Sequence, residues 1–205
     1  VLDERRSIAP GPGFETLLAE YRARCDRDVD DGYAWGTSVL AAADEAEVVS
    51  SAAEAWARHR PRLLPPVANV LRGLAAAGVD VAIVSASNRW VIEVAVAELG
   101  VSPDRVVAVD LVRDGGRLSS VVAQPMPNGA GKVQAIDRHL GRRPVLAFGN
   151  SVHDVPMLES AALGVLVLAT TPEQGDLTPA LEAHRAAADW VYFPVAHPLR
   201  GPAAP

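Results

Sequence analysis

Three short stretches of this 205-residue chain carry side chains whose type and spacing could do chemistry. Ser85-Ala86-Ser87-Asn88 follows the apolar run Val81–Val84 and precedes a helical pattern. A hydroxyl and free backbone N–H groups then meet at a helix start, a combination that holds phosphate oxygens. A plain N-cap is the alternative for a serine in that place. Gly149-Asn150-Ser151-Val152-His153-Asp154 follows Leu146-Ala147-Phe148, so an amide oxygen and a carboxylate stand four positions apart across a glycine turn. Hard oxygen donors of that kind suit Mg2+; an ordinary capped turn has the same spelling.

Lys132 is the third. It is the sole lysine among 19 lysines and arginines. An ammonium is a compact point charge, whereas a guanidinium is a wide planar fork, so a tight phosphate pocket can demand lysine alone. A single surviving surface lysine is the plainer alternative. The preceding Pro127-Asn128-Gly129-Ala130-Gly131 invites comparison with a P-loop, but Met126 stands where the first glycine belongs and Val133 where a hydroxyl belongs. That comparison fails. His59, His139 and His184 fall on helical patterns without a ligand partner at i+4, and His197 sits in a Pro-rich tail, so surface or packing roles are expected of them. His153 alone adjoins a candidate stretch. Tyr33 and Trp35 could face a ligand, although aromatic residues on a helix usually belong to a core.

The elements that must position these residues follow from periodicity. Phe14, Leu17, Leu18 and Tyr21 repeat at helical spacing, and Asp44 with Glu47 resembles a capping box opening a helix whose Val48, Val49, Ala52 and Trp56 share a face. Pro66 suits a first helical turn before the stripe Val67, Val70, Leu71 and Leu74, with Gly78 as a stop. Beyond it the spacing predicts a buried strand over Val79–Val84, a helix opened by Ser87–Asn88, an alternating strand over Val106–Val112, and a hairpin turned by Asp114-Gly115-Gly116 onto Leu118–Val122. A helix over Lys132–Leu140 stopping at Gly141, a strand over Val145–Phe148, a short helix through Leu158 and a strand over Val165–Leu168 complete the series. Such alternation predicts an α/β fold with a Rossmann-like parallel sheet. In open sheets of this kind, ligands sit beyond the carboxyl ends of the strands, where the candidate stretches lie.

Composition narrows the rest. With 49% hydrophobic and 21% charged residues the chain has the make-up of a globular domain, and a formal net charge of -6 offers no broad positive field for nucleic acid. The single cysteine, Cys25, cannot form an internal disulfide, which permits a reducing, cytoplasmic setting. The longest apolar runs fall far short of the roughly 20 residues of a membrane helix.

Taken together, Val81-Ala82-Ile83-Val84-Ser85-Ala86-Ser87, Lys132 in Gly129-Ala130-Gly131-Lys132-Val133, and Phe148-Gly149-Asn150-Ser151-Val152-His153-Asp154-Val155-Pro156-Met157-Leu158 resemble, in order and spacing, motifs two, three and four of the haloacid dehalogenase-like phosphatases. The resemblance spans roughly residues 62–170 and is similar in tone to the phosphoserine phosphatase and phosphorylcholine phosphatase branch. It implies a small helical cap over residues 1–62 with its lead-in, an α/β core over 63–194 and a Pro-rich tail over 195–205. It implies that Ser85, with Ala86, Ser87 and Asn88, binds the phosphoryl oxygens. Lys132 would neutralise an aspartyl-phosphate, and Asn150 and Asp154 would hold or orient Mg2+. The implied activity is a Mg2+-dependent phosphomonoesterase acting on a small phosphorylated metabolite, with no nucleic acid or membrane partner. Its rival is a non-catalytic phosphate-binding protein. Within the branch, Tyr33 or Trp35 would favour a quaternary ammonium ester and Arg89 a carboxylate-bearing one.

One departure stands out. The family's first motif, a strand ending in D-x-D-x-T, supplies the nucleophilic aspartate, and no such run occurs; the nearest, Asp3-Glu4-Arg5-Arg6-Ser7, has Arg5 in place of the second carboxylate. The chain is therefore expected to begin mid-protein and, without that carboxylate, to be inactive.

Overall fold

The computed structural model of the chain describes residues 13–59, 63–169, 181, 183, 184 and 190–195. They form two compact units, one comprising residues up to His59 with Ala82–Met126, the other Arg60–Val81 with the chain from Pro127 onward. Residues 82–126 thus pack in one unit with the helices before them. Asp3–Ser7, His197 and the tail beyond Val195 lie outside the described residues.

In the first unit, α1 (Phe14–Arg27) and α2 (Val29–Ser38) pack around Phe14 and Leu18, with Tyr21, Trp35 and Val39 against them. The carboxylate of Asp28 opens α2 by accepting the N–H groups of Asp30 and Asp31 at 2.9 and 3.4 Å. Gly32 permits the close crossing: a Cβ there would lie 2.3 Å from Cys25 Sγ. Helix α3 (Glu45–His59) starts as predicted, with Asp44 accepting the Ala46 N–H at 2.8 Å. Its buried face is Val48 and Ala52, while Val49 turns out to solvent.

Strand β1 (Ile83–Asn88) pairs in parallel with β2 (Val106–Val109) across helix α5 (Arg89–Ala97), which Asn88 caps by accepting the Val91 N–H at 3.2 Å. Next comes the hairpin of β3 (Leu111–Asp114) and β4 (Arg117–Val122). Its turn uses Gly115 and Gly116 at φ 56° and 82°, the positive pair a tight two-residue turn demands. Leu40, Val48, Ala52, Trp90, Leu111 and Leu118 make a second buried cluster in this unit, joining the loop before α3, α3 itself, α5 and the hairpin.

The second unit holds α4 (Pro65–Ala76) and α6 (Ala130–Leu140). It also holds a three-stranded, all-parallel sheet of β5 (Leu146–Gly149), β6 (Leu163–Ala169) and β7 (Val191–Val195), with α7 (Val155–Ser160) linking β5 to β6. Val165, Leu166 and Val195 from the sheet, Ala135 and Ile136 from α6, and Val155 and Leu158 from α7 are buried. The chain is thus α/β, with helices and parallel strands as its alternating pattern predicts. No helix among the described residues is long and apolar enough to cross a membrane.

Three strand expectations need correction. The strand anticipated over Val79–Val84 starts only at Ile83, where pairing with Val106 begins, and it runs on to Asn88; Val79 is 48% exposed and Ile83 and Val84 are half-buried. The strand anticipated over Val106–Val112 breaks at Asp110, whose carboxylate accepts the Leu111 N–H at 2.8 Å and so redirects the chain into the hairpin. Strand β7 was not anticipated at all.

Candidate functional site

The second unit brings together Lys132, Asn150 and Asp154. Strand β5 delivers Gly149, the chain turns through Asn150 and Ser151, and a single 3-10 turn (Val152–Asp154) presents Asp154. Lys132 lies in the first turn of α6. Its Nζ is 2.8 Å from Asp154 Oδ1, and the two side chains are only 7% and 9% exposed. Charged groups are almost never buried this far without a partner, so the pair is a structural commitment. The other carboxylate oxygen, Oδ2, accepts three donors: the N–H of Asn150 at 2.9 Å, the N–H of Ser151 at 3.0 Å and the Ser151 hydroxyl at 3.0 Å. Burial pushes the Asp154 carboxyl up, but the Lys132 ammonium and these donors outweigh it, and the net shift is below the ordinary carboxylate value.

Gly149 makes this possible by having no side chain. A Cβ at that position would stand 2.5 Å from Asp154 Cβ and 3.0 Å from its Cγ. Ser151 is the residue that motif reasoning left without a role. Its signal was present all the same: serine three positions before aspartate is a capping box, and the reciprocal bonds are made. Asn150 itself is exposed, and its backbone, not its side chain, serves Asp154. His153 is half-buried on the same turn.

Among the described residues, no three histidines, cysteines, aspartates or glutamates gather as metal ligands. With both oxygens of Asp154 engaged and Lys132 compensating its charge, Asn150 and Asp154 do not by themselves make a divalent-cation site.

The first unit holds the serine-rich stretch. Ser85, Ala86 and Ser87 lie within β1, in the irregular part where pairing slips between Val84 and Asn88, rather than just after the strand as predicted. The Ser85 hydroxyl accepts the Ser87 N–H at 3.1 Å, and buried Asn88 caps α5. Arg89 is engaged: its Nε bonds Glu93, and its Nη1 lies 3.5 Å from Asp110. Trp35 packs within the α1–α2 core with the Arg24 guanidinium 5.2 Å above its ring, so a protein cation already covers the face anticipated for a quaternary ammonium. Tyr33 is half-buried on α2, and its hydroxyl is pushed up by burial. In the second unit His184 stacks on Trp190 and lies 3.3 Å from Glu159, a packing role as expected.

Residues 9–159 match the haloacid dehalogenase-like hydrolase family, and the chain belongs to it. No curated protein matches the chain at a significant level. Among solved structures, a protein of unknown function from Bordetella pertussis Tohama I is 22% identical with a TM-score of 0.75, covering 94% of this chain and 87% of its own. A conserved, functionally unknown protein from Anaerococcus prevotii DSM 20548 is 17% identical with a TM-score of 0.66, over 79% of this chain and 55% of that one. A phosphoserine phosphohydrolase-like protein from Francisella tularensis subsp. tularensis SCHU S4 is 14% identical with a TM-score of 0.58, over 93% of this chain and 86% of that one. These likenesses establish the fold. Hydrolases of this family generally use a divalent metal, typically Mg2+.

Proposed function

We propose that this chain belongs to a phosphomonoesterase that hydrolyses a small phosphate ester through an aspartyl-phosphate. The observation that carries the reading is the buried Lys132–Asp154 pair, in which the chain's only lysine is fixed beside the loop that leaves the carboxyl end of β5. A fixed ammonium of this kind stabilises the negative charge of a transferring phosphoryl group, with its orientation set before substrate arrives. Ser85 is the hydroxyl the family resemblance assigns to the phosphoryl oxygens. The described residues do not complete a Mg2+ site, so a metal requirement at this chain would need oxygen ligands beyond Asn150 and Asp154.

The nucleophile is a separate matter. Asp26, Asp28 and Asp30 form the one alternating aspartate run in the described residues, but Asp28 caps α2 and the run leads into a helix rather than ending a strand. No D-x-D-x-T run occurs in the 205 residues, and we assign the nucleophilic carboxylate to none of them. The test is phosphate release from p-nitrophenyl phosphate and a panel of small phosphomonoesters, with added Mg2+. It compares the chain alone with the chain extended by whatever coding sequence precedes Val1. The expected result is turnover by an extended chain containing D-x-D-x-T and none by the 205 residues alone. Turnover by the 205 residues would contradict the assignment of the nucleophile. An inert extended chain would favour the rival, a non-catalytic phosphate binder.

A further inference from the structure

Helices α1 and α2 pack as a pair around a cluster of their own. Phe14 and Leu18 are covered by Leu17, Tyr21, Trp35 and Val39, and Arg24 of α1 pairs with Asp31 of α2 at 3.0 Å. The next residue, Leu40, belongs to a different cluster, with Val48, Ala52, Trp90, Leu111 and Leu118. The apolar contacts therefore change sides between Val39 and Leu40, at the start of the connection to α3. Within that connection Ala42 has φ 65°, and among the described residues it is the one non-glycine with a left-handed backbone. Its Cβ makes the conformation costly, and a residue stays in it only when the surrounding structure holds it there. The hairpin supplies that hold. The Ala42 N–H donates to the Leu118 carbonyl at 2.8 Å, Arg117 Nη1 donates to the Ala42 carbonyl at 3.0 Å, and Arg113 pairs with Glu45 three residues further on.

From this we infer that the helices of residues 14–59 do not move as one body: α1 and α2 swing together about Ala42, and the β3–β4 hairpin is the latch that keeps them in place. Release of the Leu118 and Arg117 bonds lets Ala42 return to a negative φ, so strain relieved at the hinge offsets part of the cost of opening. Helix α3 does not follow. Its Val48 and Ala52 are packed with Trp90 of α5, and its Glu45 is held by Trp90 and Arg113. Helix α2 also lies against β1, β2 and β4, so the swing uncovers part of β1, the strand that bears Ser85. For that last consequence the inference rests on the phosphatase reading, which makes the latch a control on access to the proposed phosphate-binding hydroxyl. The latch itself stands on the backbone geometry.

Amide hydrogen exchange of the 205-residue chain, read by mass spectrometry without substrate, tests the latch. In the wild type the amides of α1 and α2 are expected to exchange faster than those of α3, because local opening reaches only the first pair. Equal rates in the three helices would overturn the hinge, and this arm needs no variant to fold. Arg117→Ala removes one exposed latch bond. It should speed exchange in α1 and α2 about three- to tenfold, the worth of one hydrogen bond, and leave α3 and the second unit unchanged. Ala42→Gly tests the strain, since glycine adopts φ 65° without the Cβ penalty. It should slow exchange in α1 and α2 about fivefold, in the wild-type and Arg117→Ala backgrounds alike. Exchange that ignores Arg117→Ala would overturn the latch, and exchange that quickens with Ala42→Gly would overturn the strained hinge. Either failure leaves the phosphatase reading standing, because phosphate release tests that separately.

Discussion

Each unit carries a cluster of opposite charges that joins its elements, and these two clusters differ most in burial. In the first unit Glu45 accepts the Trp90 indole N–H at 2.8 Å and pairs with Arg113, which also reaches Asp110 at 2.7 Å and lies over the Trp90 ring at 5.7 Å. Glu45 and Arg113 are each 37% exposed. In the second unit the Lys132–Asp154 side chains are nearly sealed. The Coulomb attraction between two charges scales inversely with the local dielectric, so water and salt weaken the first cluster and barely touch the second. The first cluster therefore serves as a staple at the rim, joining the first turns of α3 and α5 to β3. The second is a charge whose position has been fixed, at the expense of desolvation, and such an expense points to function.

Breaking the buried pair should have the largest effect. Lys132→Met or Asp154→Ala strands one charge, and removal of one member of a buried pair destabilises by about 3–5 kcal/mol. Asp154→Ala should be the more severe because it also deprives the Asn150 and Ser151 donors of their acceptor. Urea unfolding followed by a probe in each unit checks this, and equal losses from Glu45→Gln would erase the contrast between the clusters.

Gly149→Ala comes next. The added methyl must push against Asp154 Cβ, an overpacking of the sort that costs about 1–3 kcal/mol. It should also move the 15N signal of the Lys132 ammonium, which a remote destabilising change would leave in place.

Glu45→Gln should lose only about 0–1 kcal/mol, the range of exposed ion pairs. That difference should shrink in 1 M salt, where the Debye length falls to about 3 Å, while the effect of Lys132→Met should persist.

The smallest expected signature is in pH. Asp154 and Glu45 both titrate below their ordinary values, Asp154 because Lys132 and its donors overcome burial, Glu45 because of its bonds to Arg113 and Trp90. A carboxylate depressed by folding contributes its stability above its unfolded pKa, about 3.9 for Asp and 4.3 for Glu, and that stability is lost as pH falls through the folded value. Stability attributable to these two groups should be level between about pH 5 and 7 and decline below about pH 4. Salt should blunt the decline due to Glu45 more than that due to Asp154, as acid unfolding curves at two ionic strengths can measure.

The sequence made some of this plain and hid the rest for identifiable reasons. Asn88 as a cap, Gly115-Gly116 as a hairpin turn and Gly141 as a helix stop were legible because each is a local demand met by one residue type. The start of β1 was not legible, because an apolar run does not disclose where pairing begins; register with Val106 decides it. Strand β7 was hidden by Pro194, which argues against a central strand but is tolerated here because, among the described residues, β7 pairs only with β6. At the site, the importance of Lys132 showed in its rarity, and that of Asn150 and Asp154 in their spacing. Which oxygen of Asp154 faces which donor is a three-dimensional fact, and it separates a cation ligand from a lysine's counter-ion. The Arg24 guanidinium over Trp35 was equally out of reach, since the two residues lie on different helices.

In the proposed reading, Lys132 is a prepositioned cation for a phosphoryl group. Its most direct test is titration of inorganic phosphate into the 15N-lysine-labelled chain, against a chloride control of matched ionic strength. A saturable shift of the single ammonium signal with phosphate, absent from the chloride control, is the predicted result. A signal that ignores phosphate throughout would mark the pair as an internal ion pair and contradict the claim.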